Sequence, residues 1–206
     1  MLDKRTASNK RRAFINAGCG PKANNRLPRY FSSWRQIRVD IDPDAKPDLV
    51  ASITDLSSIP GGSVDAVWAA HCVEHLYLHD VLAALSEFRR VLRKTGFACI
   101  VVPDLQAIAE WIATDRLFET IYQSPAGPVT AHDMIWGFSP AIAAGKVAMA
   151  HRCGFTPTPF AECLTRAGFA EVQVRRKNSL ELVAVALCQK SKREGLRGEL
   201  LTELGF

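Results

Sequence analysis

Apolar residues in this chain come in short uncharged runs set between polar and glycine-rich stretches, with segments of helical period among them. The first run, Ala13-Phe14-Ile15-Asn16-Ala17, has no charge, the pattern of a strand covered on both faces of a parallel sheet. It leads into Gly18-Cys19-Gly20-Pro21, a turn whose glycines allow unusual backbone angles and close approach of a ligand to the main chain. Pro21 to Trp34 is polar, with little helical period. A dinucleotide-binding unit normally has a regular helix at this point, so a shortened or missing helix is expected. Gln36 to Asp42 reads as a second strand ending in acids, Asp48 to Ile53 as a third and Val64 to Ala70 as a fourth, well-buried one. From Asp80 the period becomes helical: Val81, Leu85, Phe88 and Leu92 form one stripe, while Glu87, Arg89, Arg90, Arg93 and Lys94 take other faces. Asp80 is the expected cap, Arg93 and Lys94 suit the negative end of the helix, and Gly96 is the expected stop. Phe97 to Val102 is a fifth strand, closed by Pro103.

Residues 104–150 break this rhythm. Leu105 to Leu117 is expected to be a helix with Ile108, Trp111 and Ile112 inward, Tyr122 to Pro128 a loop, and Ala131 to Met149 one or two short helices. The pattern resumes at Thr156-Pro157 with a helix that turns Phe160, Cys163, Leu164 and Ala167 inward and ends at Gly168. Ala170 to Arg176 and Leu180 to Cys188 then form a hairpin across Lys177-Asn178-Ser179. Strands alternating with helices predict an α/β fold with a doubly wound, mostly parallel sheet and right-handed crossovers, closed by an antiparallel C-terminal hairpin. Three regions are expected: a basic tail over 1–12, one domain over 13–188 with 104–150 as a helical insertion or lid, and a polar tail over 189–206.

Composition narrows the class. The chain has 206 residues, 48% of them apolar and 23% charged, values of a single globular domain with a full core. No run approaches the roughly 20 apolar residues of a membrane span, and Met1 to Arg12 lacks the apolar centre of a secretion signal, so a cytoplasmic location is expected. None of the six cysteines forms a C-x-x-C pair, which predicts reduced thiols rather than a disulfide frame or a zinc site. The net charge of +5 is uneven: residues 1–12 carry +4, residues 13–188 none and residues 189–206 carry +1. A neutral folded part lacks the electrostatic footprint of a nucleic-acid-binding surface; nucleic acid is not the expected partner.

Polar and glycine positions gather where the predicted strands end: Gly18-Cys19-Gly20, Asp40, Asp55 and His71. In open α/β sheets that edge holds the ligand. Asp40 lies twenty residues beyond Gly20, about where a ribose-binding carboxylate falls in nucleotide-binding folds. His71-Cys72-Val73-Glu74-His75 matches an H-x-x-E-H pattern, and His79 continues a ladder at every fourth residue. Because His71 follows a buried strand directly, the helix that such a zinc site needs would start too late, and no metal is expected. Histidine titrates near neutral pH, which makes His75 and His151 the candidates for proton transfer, with Arg152 placed to grip an anionic group.

Taken as an ordered set, Ile15-Asn16-Ala17-Gly18-Cys19-Gly20, Val39-Asp40-Ile41-Asp42, Ser63 to Val67, His71 to Leu76, Phe88 to Gly96 and Val102-Pro103-Asp104 resemble the class I S-adenosylmethionine-dependent methyltransferases. The resemblance extends to a branch with a Gly-Cys-Gly-Pro-Lys start and a His-Arg-x-Gly-Phe-Thr segment, here His151 to Thr156, and it covers roughly residues 13 to 188. It implies a seven-stranded Rossmann-like sheet whose last strand is antiparallel, with S-adenosylmethionine as cofactor. Gly18, Cys19 and Gly20 would pack on the methionine part of that cofactor, Asp40 would accept from the ribose hydroxyls, Asp55 and Leu56 would border the adenine, the backbone near His71 would meet the methionine amine, and Asn16 and Ile41 would also be among the cofactor-binding residues. Two departures stand out: Asn16 replaces a frequent acid, and Pro21-Lys22-Ala23-Asn24 replaces the last glycine and its helix. The expected activity is methyl transfer to a small-molecule or carbohydrate-like acceptor. The alternatives are a non-catalytic module on the same fold and an NAD-dependent oxidoreductase, whose fingerprint Gly18-x-Gly20-x-x-Ala23 also fits.

Overall fold

The computed structural model describes residues 11–22, 27–191 and 196–206. Most of the predicted basic tail, Ala23 and Asn24 of the altered turn, and residues 192–195 lie outside the described residues. Strand β1 (Ala13–Ala17) is buried along its whole length because it pairs in parallel with β2 (Arg35–Asp40) on one side and β4 (Val64–Ala70) on the other. With β3 (Leu49–Val50), β5 (Leu92–Pro103), β8 (Glu171–Lys177) and β9 (Glu181–Leu187) they make a seven-stranded sheet in the order β3-β2-β1-β4-β5-β9-β8. β9 runs antiparallel to both its neighbours, and all seven of its residues are buried.

One face of the sheet packs on helix α1 (Leu78–Val91) and helix α5 (Pro157–Arg166), through Val81, Leu85, Phe88, Phe160 and Leu164. The other face shows what replaces the missing helix after β1. Phe31 stacks on Phe14 with ring centroids 4.3 Å apart, and Tyr30 and Trp34 pack around them. Helix α6 (Leu196–Glu203) closes this face with Leu200, Leu201 and the following Leu204, and Phe206 stacks on Trp68.

Several boundaries differ from the predicted ones. α1 begins at Leu78, so Asp80 lies in its first turn and does not cap it. Leu92 has already left the helix to pair with Val64, and Arg93 bridges to Asp65 at 2.5 Å instead of serving the helix end. Gly96 lies within β5. The third strand is two residues long. In the region 104–150, helix α2 (Leu105–Ile112) is capped by Asp104, whose Oδ1 accepts from the main-chain N–H groups of Gln106 and Ala107. The predicted loop over 122–128 is a hairpin of β6 (Thr120–Ser124) and β7 (Gly127–Thr130). Helices α3 (Ala131–Trp136) and α4 (Ser139–Ala143) follow, and the region has its own small core of Ile108, Val129, Ala131 and Met134. All six cysteines are free of disulfides. Among the described residues no helix is long and apolar enough to cross a membrane.

Candidate active site

The turn after β1 is fastened to β2 by main-chain groups. The Cys19 N–H donates to the Val39 carbonyl at 3.1 Å, and the Gly20 N–H donates to Asp40 Oδ2 at 2.7 Å. The buried Arg38 guanidinium donates to the carbonyls of Gly20, Ala45 and Lys46 and draws the loops on either side of β2 together. Gly18 has φ +63°, and a side chain there would collide with Cys72 Cβ. Glycine therefore lets the turn approach the end of β4. Asn16 is buried in β1 between Arg38 and Trp68.

Asp40 accepts from the Gly20 and Asp42 N–H groups. A carboxylate offers about four acceptor positions, so it retains capacity for ribose hydroxyls. Ile41 beside it is 64% exposed, an apolar surface against which a base could lie. Asp55 is at the surface, and hydrogen bonds from Ser57 lower its pKa. Leu56 requires correction as an adenine contact: its side chain is wholly buried in the core, its N–H donates to Glu87 Oε2 and its carbonyl accepts from Arg90. The glycine turn, Asp40 and Ile41 thus fit a nucleoside-bearing cofactor; Leu56 belongs to the support behind them.

The second half of the site lies beyond β4 and β5. His71 has φ +52°, and its imidazole sits between Glu181 (Nε2 to Oε1, 2.9 Å) and Glu74 (Nδ1 to Oε1, 3.3 Å). Burial opposes its charge, but hydrogen bonds to Glu181 and Glu74 prevail and raise its pKa to about 10. His71 is therefore a cation at neutral pH and unsuited to act as a base. Glu74 lies in a single 3-10 turn, Val73–His75, not in a helix. The ladder of His71, His75 and His79 consequently does not form; His79 is at the surface beside Asp80. Burial works against the charge of Glu74, yet His71 keeps its pKa low.

His75 and His151, predicted from separate parts of the chain, do meet. Their ring centroids are 4.8 Å apart. His75 Nδ1 lies 3.2 Å from the Ala150 carbonyl and His151 Nδ1 lies 3.0 Å from the Met134 carbonyl. A carbonyl only accepts, so each Nδ1 carries a hydrogen, and in the neutral form of either ring the lone pair is on Nε2. The segment bearing His151 is held from two sides: its N–H donates to the Trp136 carbonyl, and the Glu74 carbonyl accepts from Arg152 and Cys153. Gly137, at φ +96°, ends α3 where any side chain would run into the Met149 carbonyl. Burial lowers the pKa of His151, despite Glu74. Arg152, expected to grip an anion, donates to the His75 carbonyl at 2.6 Å and lies over the Tyr77 ring.

Between these groups and the hairpin β6–β7 is a cavity of about 360 Å³, into which His71, His75, His151 and Tyr122 face. Burial pushes the Tyr122 pKa up to about 12, so it remains a neutral phenol. Glu181 and Tyr122 were not singled out from the sequence. Glu181 is the one polar residue of β9 and Tyr122 lies in a polar stretch that reads as a loop, and only topology brings them here. Glu74 was visible solely within the H-x-x-E-H pattern.

The methyltransferase domain family matches residues 15–100. No curated protein sequence matches the chain. Solved structures with a similar fold include the complex between the Haloferax volcanii Trm112 methyltransferase activator and a methyltransferase, at 14% identity over 92% of this chain and 87% of that one, TM-score 0.57. A SAM-dependent methyltransferase from Archaeoglobus fulgidus is 16% identical over 86% of each chain, TM-score 0.53. The Burkholderia thailandensis 1,6-didemethyltoxoflavin-N1-methyltransferase with S-adenosylhomocysteine is 18% identical over 87% of this chain and 72% of that one, TM-score 0.51. The antiparallel β9 inserted beside β5 also departs from the six-strand order of NAD-binding folds, which counts against the oxidoreductase alternative. By sheet order the chain has the fold of the class I methyltransferases, enzymes whose cofactor is S-adenosylmethionine, and over residues 15–100 it is similar in sequence to their methyltransferase domain.

Proposed function

We propose that the protein methylates a nucleophilic atom of a small molecule with an apolar body, held in the cavity beside His75 and His151. The cavity carries this reading. Its volume of about 360 Å³ lies within the range of small-molecule sites, and it opens where His71 and Pro103 mark the ends of β4 and β5. Pro103, Pro125, Val129, Met134, Phe138 and Met149 form its walls. Such walls suit a ring or short hydrocarbon better than a carbohydrate, whose hydroxyls each need a partner when buried.

Bound beside the glycine turn, S-adenosylmethionine supplies an activated methyl group on a sulfonium. Gly18, Cys19 and Gly20 would hold its methionine part, Asp40 its ribose, Ile41 and the surface at Asp55 its adenine, and the backbone at His71 its amine. Methyl transfer is an in-line displacement, so alignment of the two reactants supplies much of the rate. His75 is the first choice to take the acceptor's proton and His151 the second, each through Nε2, since Nδ1 is engaged by a backbone carbonyl. Tyr122 is a hydrogen-bond donor to the acceptor.

Calorimetric titration with S-adenosylmethionine and S-adenosylhomocysteine tests the cofactor half, with micromolar binding (about −8 kcal/mol) as the expected result. Labelled methyl transfer to a panel of small hydroxyaromatic compounds and sugars tests the acceptor half. His75→Ala is expected to lower transfer by roughly 10²–10⁴-fold with S-adenosylhomocysteine affinity intact. Unchanged turnover in that variant ends the role given to His75, and labelled sugars alone would overturn the apolar acceptor.

A further inference from the structure

We infer that Glu74, His75 and His151 form a binding site for one divalent first-row metal ion of the zinc class. One ligand atom from each lies within 4.8 Å of the others. Ligands about 2.0–2.2 Å from a common ion stand roughly 3–4 Å apart, so side-chain shifts of about 1 Å would close the site. A second observation points to a cation. Glu74 is wholly buried, and among the described residues its Oε2 has no hydrogen-bond partner and its Oε1 has only the 3.3 Å contact with His71. A buried carboxylate oxygen without a partner is costly, and an ion would supply one. The third observation concerns the rings. Both Nδ1 atoms meet backbone carbonyls, of Ala150 and Met134, the kind of support that orients metal-binding histidines and leaves Nε2 for the ion.

Two imidazoles and one carboxylate are the protein ligands of a known class of catalytic zinc sites, which keep a fourth position open. Here His75 and His151 line the cavity, so that position faces the proposed acceptor. This part rests on the cavity being the acceptor pocket; the ion site itself does not. An acceptor hydroxyl bound to the ion would lose its proton to solvent more readily. Its oxygen lone pair then forms the new O–CH₃ bond while the C–S bond breaks and its electron pair stays on sulfur, giving the neutral thioether. In the ion-loaded protein the two Nε2 atoms would serve as ligands and the proton would leave to solvent; the base role proposed above for His75 is that of the ion-free protein.

The test uses the full chain, stripped with a chelator and titrated with Co²⁺ while its visible absorption is followed, and then with Zn²⁺. S-adenosylhomocysteine is titrated into the same samples as a check on folding. One equivalent of Co²⁺, with the intense bands of a four-coordinate site and displaced by Zn²⁺, is the expected result. Glu74→Gln and His151→Asn should each weaken Co²⁺ binding at least tenfold with S-adenosylhomocysteine affinity kept, whereas His79→Asn, on the surface, should leave it unchanged. Absence of stoichiometric Co²⁺ or Zn²⁺ binding in a wild-type sample that binds S-adenosylhomocysteine overturns the site, as does equal Co²⁺ affinity in both ligand variants. Should Co²⁺ bind while S-adenosylhomocysteine does not, the ion site stands and the methyltransferase reading falls.

Discussion

The glycine turn with Asp40 and the cluster of His71, Glu74, His75 and His151 lie at the same end of one sheet. The turn itself contributes only main-chain groups to its fastenings, and its longest hydrogen-bonded links, Cys19 to Val39 and Gly20 to Asp40, span 20 positions. The cluster is built from side chains whose links span 75 positions from His75 to Ala150 and 110 from His71 to Glu181. A backbone cradle serves any chain that can make the turn, and it suits a cofactor of fixed shape. A side-chain cluster drawn from β4, β9 and the segment after α4 can change with each of those elements, and it suits the part of a reaction that differs between enzymes.

Three substitutions would break or sharpen this contrast. Gly18→Val should have the largest effect, because the new side chain meets Cys72 Cβ at a backbone angle of φ +63° that β-branched residues avoid. S-adenosylhomocysteine affinity, measured by calorimetry, should fall by more than about 100-fold, near 3 kcal/mol; wild-type affinity would show that the turn does not form the cradle. Glu181→Gln acts only on the other region. It weakens a charged hydrogen bond to His71, an interaction of about 2 kcal/mol, and should lower the Tm by about 4–8 °C with cofactor affinity unchanged. A parallel loss of affinity would mean that the two regions are not separable. Glu87→Gln should have the smallest effect, about 1 kcal/mol, because Glu87 braces the main chain at Leu56 together with Arg90. The hydrogen bond from Arg90 is the main cause that holds the Glu87 pKa below its ordinary 4.5. Its contribution is therefore full above that value and lost as pH falls through the lower folded value. Thermal unfolding of both proteins from neutral to acid pH should show the gap in Tm closing only below about pH 4.5.

Much of the sheet was readable in the sequence because buried parallel strands leave a plain mark. The apolar runs gave Ala13–Ala17 and Val64–Ala70 with their observed ends. α1 was read three residues short at its start because Leu78 is exposed and adds nothing to the apolar stripe. Leu92 continues that stripe, but pairing with Val64 draws it into β5. The hairpin β6–β7 reads as a loop because Pro125, Gly127 and Pro128 interrupt any alternation. The left-handed turn at Gly18 and Gly20 and its approach to Asp40 were legible from local spacing. Leu56 was misplaced because its backbone partners, Glu87 and Arg90, sit on a helix some thirty residues later. Glu181 and Tyr122 left no local mark, since a polar residue outside any motif gains meaning only from the neighbours that folding provides.

The position of β9 has a consequence for how the molecule comes into being. It lies between β5 and β8, although its residues follow nearly all the others in the chain. While the protein is being synthesised, β5 must wait with one long apolar edge unpaired, the kind of edge that recruits strands from neighbouring molecules. His71 likewise waits for Glu181. The nascent protein can shape its glycine turn early, but His71 gains its Glu181 partner only with the arrival of β9.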